Sequence, residues 1–373
     1  MKNKVIFSLL IFVLAIILVL AGIFIFREIN ATRQKEADLE NSVAEISKEK
    51  SDISAYAQLN DIEKKIYVSC SQSIEAFEND VNIDSMNASI DEVKQAFTAL
   101  EEDNPQYFWV IQYSYEYDQN SQIVQTIHVI TNGTQAEIVS RQAVVEEWAK
   151  DLKANVPEDA DDFTKALYYH DALVDTVTYD SSVDENQNLY SVAAYQRSVC
   201  AGYAKAYAYL LQQENIPARY VTGTIEGTDQ HAFNLIIMDN DSYYVDVTFD
   251  DPQFSKGQVV DFTGEYTYFG LTTAEITKNH SLEDNLPICT ATKDNYFVHE
   301  DCDFDFDEFG EKARFIQMVR EDLIKGQSEV VARFKNEQMA EEALTLLLNA
   351  QLNFSSVAHA IDQTFSVLHL AFQ

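Results

Sequence analysis

Three residues between positions 200 and 246 carry the chemistry this chain offers most plainly: Cys200, His231 and Asp246. A thiolate attacks a carbonyl, an imidazole holds and then donates the proton, and a carboxylate fixes the imidazole tautomer and stabilises its cation. Nucleophilic acyl transfer needs these three types together. Singly, each has a plainer reading. A cysteine among alanines is a small hydrophobe, a histidine at a strand start is a core residue, and an aspartate after a strand is a turn or edge residue. The case rests on the ordered set.

The elements that must position them can be read from pattern. Cys200 opens an alanine- and leucine-rich helical stretch over 200–213 that stops at Ile216-Pro217. A cysteine in the first turn of a helix faces unpaired N–H groups and the positive end of the dipole, and both favour thiolate over thiol. The same N–H groups, that of Cys200 included, are placed to hold a tetrahedral oxyanion. Downstream, 218–224 reads as a strand, 226–230 as a loop, 231–238 as a strand, 239–241 as a turn and 243–249 as a strand. That hairpin puts His231 and Asp246 on neighbouring strands. Upstream, 142–153 and 164–176 read as helices, the second with Leu167, His170, Leu173 and Val174 along one face. Tyr179-Asp180 and a polar loop over 181–188 follow.

The window resembles the transglutaminase-like superfamily, relatives of papain-type peptidases. Its members show a Val-Cys-x-Gly-Tyr-Ala stretch opening a helix, a His-x-Trp-Asn strand, and a Tyr-x-Val-Asp-x-Thr-Trp strand followed by Asp-Pro. Here these read Val199-Cys200-Ala201-Gly202-Tyr203-Ala204, His231-Ala232-Phe233-Asn234, and Tyr244-Val245-Asp246-Val247-Thr248-Phe249-Asp250-Asp251-Pro252. The resemblance implies Cys200 as nucleophile, His231 as base and Asp246 as orienting carboxylate. Phe233 and Phe249 stand where the family has tryptophans, which keeps an aromatic cleft wall but reshapes it. Gln196, in the loop before the cysteine, is the candidate side-chain oxyanion donor, with Tyr203, Phe233 and Asn234 as further cleft candidates. Asn234 fits support of the hairpin better than chemistry.

The expected activity is a thioester formed at Cys200 with a glutamine or peptide carbonyl, completed by an amine or by water, on protein or peptide substrates of the cell envelope. The alternative is a catalytically inactive, surface-presented binding module on the same fold. No cofactor is expected. No CxxC or CxxH pair suggests a metal, and Asp246, Asp250 and Asp251 lack the alternating ligand spacing of a calcium loop.

The rest of the chain sets the context. With 26 basic residues against 61 acidic ones, the net charge of −35 repels phosphate backbones, and no basic stripe is present. Nucleic acid is therefore excluded as a partner. Residues 5–26 form an apolar run without a charge, long enough as a helix to span a hydrocarbon core, and 27–31 makes a poor signal-cleavage site. The expectation is a single-pass membrane anchor over 1–26 with the catalytic body extracellular. Beyond it come a stalk helix over 27–66, a small α+β domain over 67–140, the catalytic domain over 141–303 and a C-terminal α+β unit over 304–373. The overall class is α+β: a transmembrane helix, then a papain-like core with small flanking units. Four cysteines are too few for a disulfide scaffold, although Cys289 and Cys302 are close enough in sequence to bridge.

Overall fold

Side chains at the helix starts set most of the boundaries in the computed structural model, which describes residues 2–225, 227, 229–251, 266–282 and 286–373. Within the first helix it describes the side chains of Leu20, Ile23, Phe24 and those from Phe26 onward. The chain divides into two compact units. One comprises residues 1–50, 59–96 and 115–128, and the other 51–58, 97–114 and 129–373.

The first part of the chain holds α1 (Lys2–Glu49), α2 (Asp61–Glu75), β1 (Asp80–Asn82), α3 (Ile90–Asp103), β2 (Val110–Tyr117) and β3 (Val124–Thr131). The strands run in the order β1-β3-β2, with Asp80 opposite His128. The stalk expected as one helix over 27–66 is instead two. Helix α1 ends at Glu49, and α2 starts afresh where Asn60 accepts the N–H groups of Ile62 and Glu63 while Glu63 returns the bond to Asn60. Such a reciprocal cap terminates the preceding segment as firmly as it opens the next. The two helices touch through Gln72 Nε2 and Ser42 Oγ at 3.0 Å and Lys65 Nζ and Glu40 Oε1 at 3.3 Å. Strand β1 separates α2 from α3. Among the described residues no helix is long and apolar enough to cross a membrane. Most side chains of the apolar run over 5–26, where the anchor was expected, lie outside the described residues.

The second unit continues with α4 (Gln135–Lys153), α5 (Asp162–Thr176), β4 (Thr178–Tyr179), α6 (Leu189–Tyr195), β5 (Arg197–Ser198) and α7 (Cys200–Gln212). Helix α4 begins seven residues before the expected 142 because Thr134 and Glu137 form a capping box ahead of it. Next come β6 (Ala218–Ile225), β7 (Asp229–Met238), β8 (Asp241–Val245), β9 (Phe269–Leu271), α8 (Thr273–Ile276), β10 (His280–Leu282) and α9 (Tyr296–His299). The unit closes with β11 (Asp303–Phe304), α10 (Glu311–Lys325), β12 (Glu329–Phe334), α11 (Glu337–Asn349), β13 (Val357–Asp362) and β14 (Val367–Phe372).

Two sheets organise this unit. The first runs β10-β6-β7-β8-β9, and the second β11-β12-β14-β13. Helix α7 packs on the first sheet and is buried nearly all round, from Ala201 to Leu211. That burial explains its composition, since alanines let the sheet approach closely and a helix apolar on every face belongs in a core. It stops where Asn215 takes a left-handed backbone and Pro217 follows. The β7–β8 hairpin turns through Asp239 and Asn240, both at positive φ (49° and 73°), the two-residue geometry that matches strand twist. The fold is of the mixed α+β class.

Candidate active site

Cys200 is the first residue of α7, after Val199, whose extended backbone (φ −116°, ψ −177°) provides no side-chain cap. The helix start is thus left to other groups. The thiol is half-buried and packs with Tyr220 on Ala201, Ala204 and Ala232. The other cysteines, Cys70, Cys289 and Cys302, are fully buried, and all four are free thiols, so the bridge considered between Cys289 and Cys302 is not formed. Both sit inside the apolar core beside the second sheet, and burial pushes both thiols up, that of Cys302 to about 12.

His231 lies on β7 and Asp246 directly follows β8. The imidazole Nε2 is 2.6 Å from Asp246 Oδ2, and both side chains are buried. With Nε2 on the carboxylate, Nδ1 is left for Cys200, with which the ring also hydrogen-bonds. Burial pulls His231 toward its neutral form, but the charge and hydrogen bond of Asp246, with a smaller contribution from Cys200, outweigh it and push the imidazole up to about 10. Burial works against the Asp246 anion too. His231 and then His280 overcome it and hold the carboxyl well below its usual range.

The carboxylate is fully engaged. Oδ1 accepts the backbone N–H groups of Thr248 (3.1 Å) and Phe249 (3.2 Å), and Oδ2 accepts a second imidazole, His280 Nε2, at 3.0 Å. Four donors fill the four lone-pair positions a carboxylate offers. His231, Asp246 and His280 bring three potential metal-ligand atoms within 4.8 Å of one another. In this structure Asp246 Oδ2 joins the two imidazoles through hydrogen bonds.

Phe233 and Phe249 form the aromatic wall. Phe233 lies nearly parallel to His231 (centroids 6.2 Å apart, 19° between planes), and Phe249 meets the same ring edge-on at 5.0 Å. Asn234 is wholly buried and donates from Nδ2 to Ala204 O at 2.8 Å, tying the hairpin to α7. Two expected cleft residues are placed elsewhere. Tyr203 is in the core, its hydroxyl against Val177 O (2.8 Å) and Asp251 Oδ2 (2.7 Å), because helical spacing carries it to the inner face of α7. Gln196 is exposed, in a left-handed conformation (φ 52°) that ends α6, and its contribution is a backbone carbonyl accepting Thr178 N–H.

Sequence reasoning missed two neighbours of the site. Tyr179 reaches it because β4 pairs in parallel with β5, Tyr179 opposite Ser198. Its hydroxyl oxygen receives the Cys200 backbone N–H, while burial and the adjoining Cys200 and Asp246 raise its pKa. The Tyr179-Asp180 pair was noticed, but only as a lead-in. His280 has no motif around it and no signal could have found it. A second buried pair stands behind the first. His170 Nε2 is 3.2 Å from Asp250 Oδ2, and Asp250 also accepts Tyr268 N–H, whose carbonyl in turn accepts Asp246 N–H. Burial pushes Asp250 up to about 6 against the opposing pull of His170.

Comparisons with known proteins reach part of the chain. Residues 146–249 match the model of the transglutaminase-like superfamily, and this stretch is a transglutaminase-like domain. Solved structures that resemble the chain include a transglutaminase (14% identity, TM-score 0.28, covering 42% of this chain and 46% of that one). A cysteine-protease candidate from Cytophaga hutchinsonii matches at 16% identity and TM-score 0.26, over 38% of this chain and 63% of that one. A protease candidate from Parabacteroides distasonis matches at 9% identity and TM-score 0.23, over 35% and 30%. The chain thus spans less than two thirds of each. No curated protein matches it.

Proposed function

We propose that the chain is a cysteine-nucleophile acyl-transfer enzyme acting on amide carbonyls of proteins or peptides at the cell envelope. The observation that carries this reading is the unbroken hydrogen-bonded line from Cys200 at a helix start, through His231, to a buried Asp246 held by four donors. In this reading the Cys200 thiolate attacks the amide carbon, the Sγ–C bond forms and the carbonyl oxygen becomes an oxyanion. The Cys200 N–H and the Tyr179 hydroxyl, which adjoin each other at rest, both turn to that oxygen. The C–N bond then breaks, His231 gives its proton to the departing amine, and a thioester remains. A second amine, or water, delivers its proton to His231 as it bonds to the acyl carbon, and cleavage of the C–S bond releases the acyl product and restores the Cys200 thiolate. Both outcomes share the thioester, and which follows depends on the nucleophile the cleft admits.

Anchoring at the membrane belongs to the same proposal. Support comes from the uncharged apolar run over 5–26 and from Leu20, Phe24 and Phe26, which stand exposed on α1. The body then lies outside the cell, where envelope proteins are the accessible amides.

Iodoacetamide labelling of the full chain from pH 4 to 9, read site by site by mass spectrometry, tests the reading. Cys200 is expected to label well below pH 8 and far ahead of Cys70, with His231→Ala abolishing the advantage. Equal labelling of Cys200 and Cys70 would reject the nucleophile and favour the inactive binding module.

A further inference from the structure

We propose that His280 is a second imidazolium seated on Asp246, a positioning residue that balances the charge of the Cys200–His231 pair. The inference deepens the reading of Cys200 as a nucleophile and rests on it.

The geometry sets out the ring's role. His280 Nε2 faces Asp246 Oδ2 at 3.0 Å, and Nδ1 faces Asn279 Oδ1 at 2.7 Å. Asn279 Nδ2 in turn donates to Tyr268 Oη at 2.6 Å. Both ring nitrogens therefore meet oxygens that accept, and an imidazole satisfies two acceptors only when it carries both hydrogens. The ring is fully buried and boxed by Phe233, Phe249 and Tyr268, with centroids 5.0–5.7 Å away. The titratable groups facing it are Asp246, His231 and Tyr268, with Asp250 behind Asp246.

A charge is costly in such surroundings unless its neighbours cancel it. In the reactive form Cys200 and Asp246 are negative and His231 is positive, which leaves one uncompensated negative charge in a buried cluster. A cationic His280 brings the set of four to zero. It also competes for Asp246 from a ring centre 5.5 Å from that of His231. A triad needs one imidazole on its carboxylate, and that role is complete with His231. The second imidazole weakens the grip of Asp246 on the His231 proton, which His231 must surrender to a leaving amine. Strand β10 joins the sheet through β6, with His280 opposite Ile225, on the edge away from β8 and β9.

The test compares Cys200 alkylation against pH in the full chain for the wild type, His280→Gln and His280→Leu. Circular dichroism confirms the fold of each. Removing a cation at this range moves the acidic limb of the profile up by about one pH unit, roughly a tenfold slower reaction on the slope. His280→Gln keeps a neutral donor for Asp246, so an equal shift in both variants supports the charge. A wild-type profile for His280→Gln, or an unmoved limb in both variants, overturns it. Should neither variant fold, imidazole 15N spectra of the wild-type chain decide. Two protonated nitrogens on the His280 ring support the proposal, and their absence refutes it. A wild-type Cys200 that labels no faster than Cys70 would instead reject the nucleophile reading itself, which separates the two failures.

Discussion

Replacing Gly202 by alanine should destabilise the catalytic unit, although alanine is the better helix former. Gly202 lies two residues into α7, and a Cβ built there overlaps Ser198 Oγ outright, lies 2.8 Å from Ser198 Cβ and 3.2 Å from the Asn188 carbonyl. Ser198 cannot swing aside freely. It is buried, its hydroxyl joins Ser191 Oγ at 2.8 Å and Asn186 O at 2.6 Å, and its carbonyl accepts Asp180 N–H. Losing two neutral hydrogen bonds costs about 1 kcal/mol each. Overpacking adds about 1–3 kcal/mol, and the helix-propensity gain of alanine returns about 1 kcal/mol. The net loss is about 2–4 kcal/mol, which for a unit of this size lowers Tm by roughly 5–15 °C. Thermal unfolding followed by near-ultraviolet circular dichroism reads it, and Gly133→Ala is the control. There the nearest atom is Glu137 Cβ at 3.4 Å, an ordinary contact, so the change should stay within about 0.5 kcal/mol. Ser198→Ala removes the overlapping oxygen, so Ser198→Ala with Gly202→Ala should cost less than the two separately. The reasoning fails if Gly202→Ala matches the control or stabilises the chain.

Two further outcomes follow from the site. His231 holds its proton more tightly in the folded chain, so its contribution is complete below the ordinary imidazole value of 6.5 and is lost as pH rises through about 10. Asp246 is depressed, so its contribution is complete above 3.8 and is lost as pH falls toward its folded value. The Tm difference between wild type and Asp246→Asn should therefore be widest between about pH 4 and 6.5 and narrow on both sides; a difference flat from pH 4 to 9 contradicts the ion pair. Tyr179→Phe should leave Cys200 alkylation within a few-fold of wild type while lowering kcat on any amide substrate found by about 10²-fold. Equal losses in both assays would make Tyr179 a structural support of the cysteine instead.

Much of the site was legible because its parts are local. Cys200 announces a helix start through the alanine and leucine run behind it, and His231 and Asp246 sit on a short hairpin whose turn residues tolerate positive φ. Missed elements had weak local signals. Strand β1 is three residues long, and β13 carries no continuous apolar face. The start of α4 was readable after all, in the Thr134–Glu137 capping box. The assignments that failed depended on direction. Whether Tyr203 faces the cleft or the core is decided by what packs against α7, and Gln196 turns outward because its left-handed backbone closes α6.

Sequence by itself determined the three chemical groups, their order, and the helix and hairpin that carry them, because each depends on contacts within a few residues along the chain. Tertiary structure decided which distant groups complete the site. His280 arrives at Asp246 through pairing of β10 with β6, and Tyr179 arrives at Cys200 through the β4–β5 pairing. Neither pairing leaves a periodic or compositional trace, since strands of two or three residues are held by backbone bonds that any side chain permits. What those bonds bring together is a buried cluster in which every donor and acceptor must find its partner, and only the closed fold supplies them.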